Sequence, residues 1–289
     1  MEQHKMDNLK LGEKGAYLSI VAYIFLSTLK LFVGVTANAE VLKADGLNNL
    51  TDIIASIAVL IGLKYAQKPA DGDHRYGHWK SETIASLIAS FIMAFVGIEV
   101  LLGAIKSLFE GRTQAPDLIS MWVGVFSAIV MFFVYRYNMS LGKKINSSAV
   151  KAAAKDNLSD ALVSIGAVVG IIASQFALYW IDTVAAFIVG LIICKTAWDI
   201  FYESVVYLTD GFDEDLLEKY EDDILKIAGV HCVKSIKARN YGNTCIIDVV
   251  IGIKGSLEVV FAHDITDEIE EMLKKKYEVL DVFVHVEPV

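Results

Sequence analysis

Six apolar stretches decide what this chain can fold into. They lie at roughly 15–36, 42–66, 83–109, 116–138, 150–176 and 179–207. Each holds about 20 residues or more, enough for a helix to cross a hydrocarbon core ~30 Å thick. Lipid offers no partners to backbone N–H and C=O groups, so such a span must satisfy them internally as a helix. The three prolines, Pro69, Pro116 and Pro288, fall in connections or at ends, where they leave the helices unbroken. A mean hydropathy of +0.48 with 55% hydrophobic residues fits a membrane class for a chain of 289 residues.

Charge divides the chain further. Residues 209–289 hold 18 acidic and 9 basic residues, whereas 1–208 hold 17 of each. We therefore expect a polar, amphipathic cytosolic leader over 1–13, a six-helix transmembrane domain over 14–208, and an acidic soluble domain over 209–289. An acidic tail argues against nucleic acid as a partner and suits the attraction of cations. Cys194, Cys232 and Cys245 form neither a Cys-x-x-Cys pair nor an even set. They read as free thiols in a reducing compartment. The leader is charged and shows no cleavable signal, so the first span is expected to stay in the membrane.

Twelve basic residues sit in the leader and in the second-to-third and fourth-to-fifth connections, against Lys43 and Arg112 in the opposite ones. The positive-inside bias puts both termini in the cytosol, in a multi-pass protein of the cell membrane. Beyond residue 209 the periodicity predicts a helix over 214–227 and strands over 233–239 and 245–253, with the turn at Tyr241-Gly242-Asn243. A second helix over 257–276 and a last strand over 281–287 follow. The order αββαβ makes a small ferredoxin-like α+β domain, with helices on one face of a three-stranded sheet.

Two matched stretches carry the chemistry. Asn48-Asn49-Leu50-Thr51-Asp52 lies in the second span and Asp156-Asn157-Leu158-Ser159-Asp160 in the fifth. Each places two oxygen-bearing side chains at i and i+4, on one helix face. Asp52 and Asp160 each lie about ten residues from a span end, ~15 Å deep, approached from opposite directions. An ionised side chain at that depth costs about 2.5–3.5 kcal/mol on insertion scales. Three carboxylates and an amide converging there describe a site for a hard divalent cation. Asp45, one turn before Asn48, is placed to line an outer approach. Asp71, His74 and His78 in the second-to-third connection have metal-ligand spacing. In the tail, His285 and Glu287 point the same way along a strand, with His263 as a third candidate.

On these residues the chain resembles the cation diffusion facilitators, proton-coupled exporters of divalent metals. The likeness covers nearly the whole chain: six spans, the paired motifs in spans two and five, Pro-Ala-Asp71-x-x-His74-x-x-Gly-His78, and the αββαβ tail. It implies a transport site of Asn48, Asp52, Asp156 and Asp160, a second site of Asp71, His74 and His78, and a homodimer. The tail match is partial: His263, His285 and Glu287 fit, while Lys234 and Val250 stand where histidines would sit. Lys80 and Asp210 match a charge interlock between span three and the tail. Zinc-transporting members usually carry His or Asp first in each pair; Asn48 with Asp156 resembles the manganese-exporting branch.

An all-oxygen site lacks the nitrogen and sulfur ligands that suit zinc, which agrees with manganese, leaving Zn(II), Fe(II) and Co(II) as other passengers. The expected function is antiport of metal against protons by alternating access, with the metal as cargo and possible regulator and no catalytic cofactor. Two rivals stand beside it. An intramembrane aspartyl hydrolase would not use Asn48, and no Gly-x-Gly-Asp stretch is present. A non-transporting metal sensor or scaffold would need only the tail. The chain is therefore expected not to be an enzyme.

Overall fold

A computed structural model describes residues 2–36, 40–110, 118–176 and 178–289. Arg112 and Pro116, used above for orientation and for the start of the fourth span, lie outside the described residues. Six long helices come first: α1 (Glu2–Thr36), α2 (Glu40–Ala66), α3 (Ser81–Glu110), α4 (Leu118–Lys144), α5 (Ser148–Gln175) and α6 (Tyr179–Leu208). All six are long and apolar enough to cross a membrane. Large apolar side chains face outward from them, among them Phe32, Trp122, Phe133 and Trp198, each more than 60% exposed. Water would not tolerate such a surface, and lipid does. The expected leader is no separate element, because α1 is helical from Glu2 and runs unbroken into the first span.

The chain forms two compact units, one spanning Asp7–Ser204 and the other built chiefly from Val205–Val289. Within the first, α5 packs against α4, α3 and α2. Small residues make the α4–α5 approach possible. Ala149, Ala152, Ala153 and Ala154 are all buried, and a Cβ on Gly142 would stand 3.0 Å from the Lys151 nitrogen. The connection between these helices is tight. Asn146 takes a positive φ of 51°, Ser147 N–H donates to the Gly142 carbonyl at 2.9 Å, and Val150 N–H donates to Ser147 Oγ at 3.1 Å, capping α5. A cluster of Ala22, Tyr23, Leu26, Met131, Val134 and Ala161 joins α1, α4 and α5 in the bundle interior.

The second unit runs α7 (Glu214–Ile224), β1 (Cys232–Tyr241), β2 (Thr244–Ile253), α8 (Val259–Tyr277) and β3 (Asp281–Pro288), the αββαβ order read from the sequence. Asp213 caps α7 by accepting from Asp215 N–H at 3.0 Å. The sheet order is β1-β2-β3. β1 pairs antiparallel with β2, with a register shift between Val233 and Ser235. β3 pairs parallel with β2, which needs a crossover, and α8 supplies it. One sheet face is apolar: Ile247, Val249, Ile251 and Ile253 pack with Val282, Val284, Val286 and Ile269. By strand alternation Phe283, His285 and Glu287 occupy the other face.

Candidate metal centre

α2 and α5 meet where the sequence motifs lie. Asp52, Asp156 and Asp160 each offer a carboxylate oxygen, and these atoms all lie within 4.8 Å of one another. A cation at their centre would be no more than about 2.8 Å from each. Carboxylate–cation distances of about 2.0–2.6 Å are therefore reached by small side-chain rotations. Asp52 is 2% exposed, and its Oδ2 has no hydrogen-bond partner among the described residues. A buried carboxylate oxygen left in that state is costly unless a cation or a proton completes it. Asn48 stands one turn before Asp52 on the same face of α2, half-buried.

The first helix contributes what the sequence reading did not foresee. Tyr23, fully buried on α1, donates through its hydroxyl to Asp160 Oδ2 in a short contact and lies 3.3 Å from Asp156 Oδ2. Asn157, inside the second motif, donates its Nδ2 to the Tyr23 oxygen at 3.0 Å. Ser19 Oγ donates to Asn157 Oδ1 at 3.0 Å. Asn138 of α4 donates to Ser19 Oγ at 2.8 Å and to Asn157 Oδ1 at 3.0 Å. Lys30, 2% exposed, forms an ion pair of 2.8 Å with Asp45. Asp45, expected to line the outer approach, is thus tied to a buried cation of α1. A signal for all of this existed in the spacing Ser19, Tyr23, Ser27, Lys30: one polar stripe on an otherwise apolar helix. Ser27 completes the stripe by donating to the Gly46 carbonyl of α2 at 2.7 Å.

The second expected cluster is also assembled. One ligand atom from each of Asp71, His74 and His78 lies within 4.8 Å of the others. The loop is held by Asp71, whose Oδ1 accepts from His74 N–H at 2.8 Å and Asp73 N–H at 3.1 Å. The His74 N–H bond is the main reason the Asp71 carboxyl titrates below its ordinary range. Gly77 takes a φ of +80° to close the turn. His78 Nδ1 faces two carbonyl oxygens, of Lys68 at 3.3 Å and Pro69 at 3.2 Å. Two acceptors there require the proton on Nδ1. Nε2 is the ring nitrogen turned toward Asp71 Oδ2, 3.5 Å away, and when deprotonated it is the one that can ligate a metal.

The tail residues are not brought together within one chain. Among the described residues, only the two clusters above gather three candidate ligands. His285 and Glu287 do point the same way, 3.9 Å apart. His263, however, sits on α8, which covers the opposite face of the sheet, where Val284 and Val286 pack. Glu287 is moreover engaged by Lys234 at 2.7 Å, which pulls its carboxyl below the ordinary range. An ammonium thus takes the place a metal's charge would fill.

Residues 16–209 match the family described as the cation efflux transmembrane domain, and residues 212–289 the cation efflux protein cytoplasmic domain. The chain is 54% identical over 284 residues to the manganese efflux system protein MneS of Bacillus subtilis (strain 168), covering 98% of each chain. It is 51% identical to the uncharacterized transporter YdbO of the same organism, again over 98% of each. It is 31% identical over 288 residues to the manganese efflux system protein MneP, also of that organism, covering 96% of this chain and 97% of the relative. Kinship of that extent reaches both units, and by it the chain belongs to the cation efflux family, the cation diffusion facilitators, as a multi-pass membrane protein that moves metal cations out.

Proposed function

We propose that the cargo is a divalent transition metal, manganese foremost, exchanged for protons at a cage of Asn48, Asp52, Asp156 and Asp160. The observation that carries this reading is the meeting of three carboxylate oxygens within 4.8 Å, from two helices, inside an apolar bundle. Oxygen donors alone forfeit the nitrogen and sulfur ligands that favour zinc over manganese. Two similar proteins bear manganese efflux in their names, which supports the same choice. Zn(II), Fe(II) and Co(II) remain the alternative cargoes.

The mechanism follows from competition for the same oxygens. With the cage open to the cytosol, ionised carboxylates take up the cation. The helices carrying the cage then rock, and it faces outward. Protons arriving from outside neutralise the carboxylates and release the metal, so exchange needs no further energy source. Asp71, His74 and His78 form a second site at the cytosolic side. The tails pair two chains into a homodimer. No catalytic cofactor takes part. The test is manganese uptake into proteoliposomes under an imposed pH gradient. Flux is expected to vanish in Asp52→Ala and in Asp160→Ala, and normal flux in either overturns the cage. Asn48→His is expected to raise zinc relative to manganese transport.

A further inference from the structure

Four polar side chains lie fully buried beside the carboxylates: Ser19, Tyr23, Asn138 and Asn157 are each 0% exposed. Polar groups at that depth are costly unless bonded, so a connected network there calls for an explanation beyond stability. The direction of the bonds supplies one. Asn138 donates to Ser19 and Asn157, Ser19 to Asn157, Asn157 to Tyr23, and Tyr23 to Asp160. Every donor points toward Asp156 and Asp160. At the far end Asn138 Oδ1 abuts Gly15, where a Cβ would come within 2.8 Å, and it accepts no hydrogen bond among the described residues.

We propose that Tyr23 is a positioning and specificity-determining residue that keeps Asp160 monodentate toward the transported cation. The proposal rests on the transport reading above. The phenol oxygen lies against Oδ2 of both aspartates, and Asn157 occupies the phenol's own acceptor side. The hydroxyl has nowhere else to turn. The phenol's single proton engages one oxygen of Asp160 and leaves the other for the metal. Calcium takes six to eight oxygens and readily uses carboxylates in bidentate fashion, whereas manganese is content with six. A cage in which one of three carboxylates is confined to a single oxygen favours the smaller ion. The network thus discriminates against calcium by withholding oxygens rather than by adding a ligand.

The test is manganese transport in proteoliposomes with calcium as competitor, comparing wild type, Tyr23→Phe, Ser19→Ala and Asp160→Ala. Loss of an outer partner costs about 10–100-fold in metal affinity. Tyr23→Phe is therefore expected to raise KM for manganese by about that factor, with maximal flux within about threefold of wild type. Calcium, nearly inert against wild type, should now compete. Ser19→Ala, which leaves the phenol in place, should shift both quantities the same way by less, and it decides the matter should Tyr23→Phe not fold. KM and calcium inhibition within twofold of wild type in whichever variant folds overturn the proposal, as does a loss confined to maximal flux. Asp160→Ala separates the two readings: full flux there sinks the cage itself, whereas a dead Asp160→Ala beside an unaltered Tyr23→Phe sinks only the role of Tyr23.

Discussion

The ion pair between Lys30 and Asp45 makes the sharpest stability prediction, because its partners are unequally buried. The side chain of Lys30 is 3% exposed and that of Asp45 27%, at 2.8 Å. Removing one member of a buried pair strands the other, at about 3–5 kcal/mol when the survivor is fully enclosed. Asp45→Leu strands the enclosed ammonium and is expected to cost about that much. Lys30→Met strands a carboxylate that still reaches solvent or headgroups, so about 1–3 kcal/mol is expected, the ordinary penalty of an unsatisfied polar group.

The double variant Lys30→Met/Asp45→Leu leaves no charge and should return to within about 1 kcal/mol of wild type, or exceed it. The two sites thus couple by at least about 3 kcal/mol, at or beyond the top of the range for groups in contact. The assay is thermal unfolding of the purified protein in one detergent at one scan rate. Each kcal/mol moves the midpoint by roughly 2–4 °C in a chain near this size. Asp45→Leu should therefore fall by roughly 10 °C, Lys30→Met by less, and the double variant by almost nothing. A larger loss in Lys30→Met than in Asp45→Leu, or a double variant equal to the sum of the singles, refutes the reasoning from burial.

Two further outcomes are expected. His78→Ala, which removes the Nε2 lone pair beside Asp71, should bind one metal fewer per chain in an equilibrium titration of the Asp52→Ala background; an unchanged count removes the loop site. In the tail, Asp223 accepts from Lys276, Tyr277 and Lys226, and the Lys276 ammonium foremost holds its carboxyl well below the ordinary range. A depressed carboxyl stabilises the fold at neutral pH, and that contribution is lost as pH falls below about 3.9 toward the depressed value. Hydrogen exchange in α7 and α8 should accordingly be faster in Asp223→Asn than in wild type at pH 7, and the difference should shrink in acid. Equal exchange at pH 7 denies the link.

The elements, and the helix faces that the proposed cage uses, are legible in the order of residues alone. Apolar length fixes the spans, since lipid forces each to bond its own backbone. Helical spacing fixes that Asn48 shares a face with Asp52, and Asp156 with Asp160, because 3.6 residues per turn is a local property. Strand alternation likewise set His285 beside Glu287. What touches those faces is not local. Tyr23 and Lys30 read in the sequence as one aromatic and one charge within an apolar run, and only the packing of α1 against α2, α4 and α5 turned them into partners of Asp160 and Asp45. The family resemblance groups His263 with His285 and Glu287, yet the crossover through α8 puts it beyond the other face of the sheet. Periodicity is written into the order of residues, whereas a contact between segments far apart in the chain depends on how helices and sheet close on one another, and that is settled only when the whole interior packs.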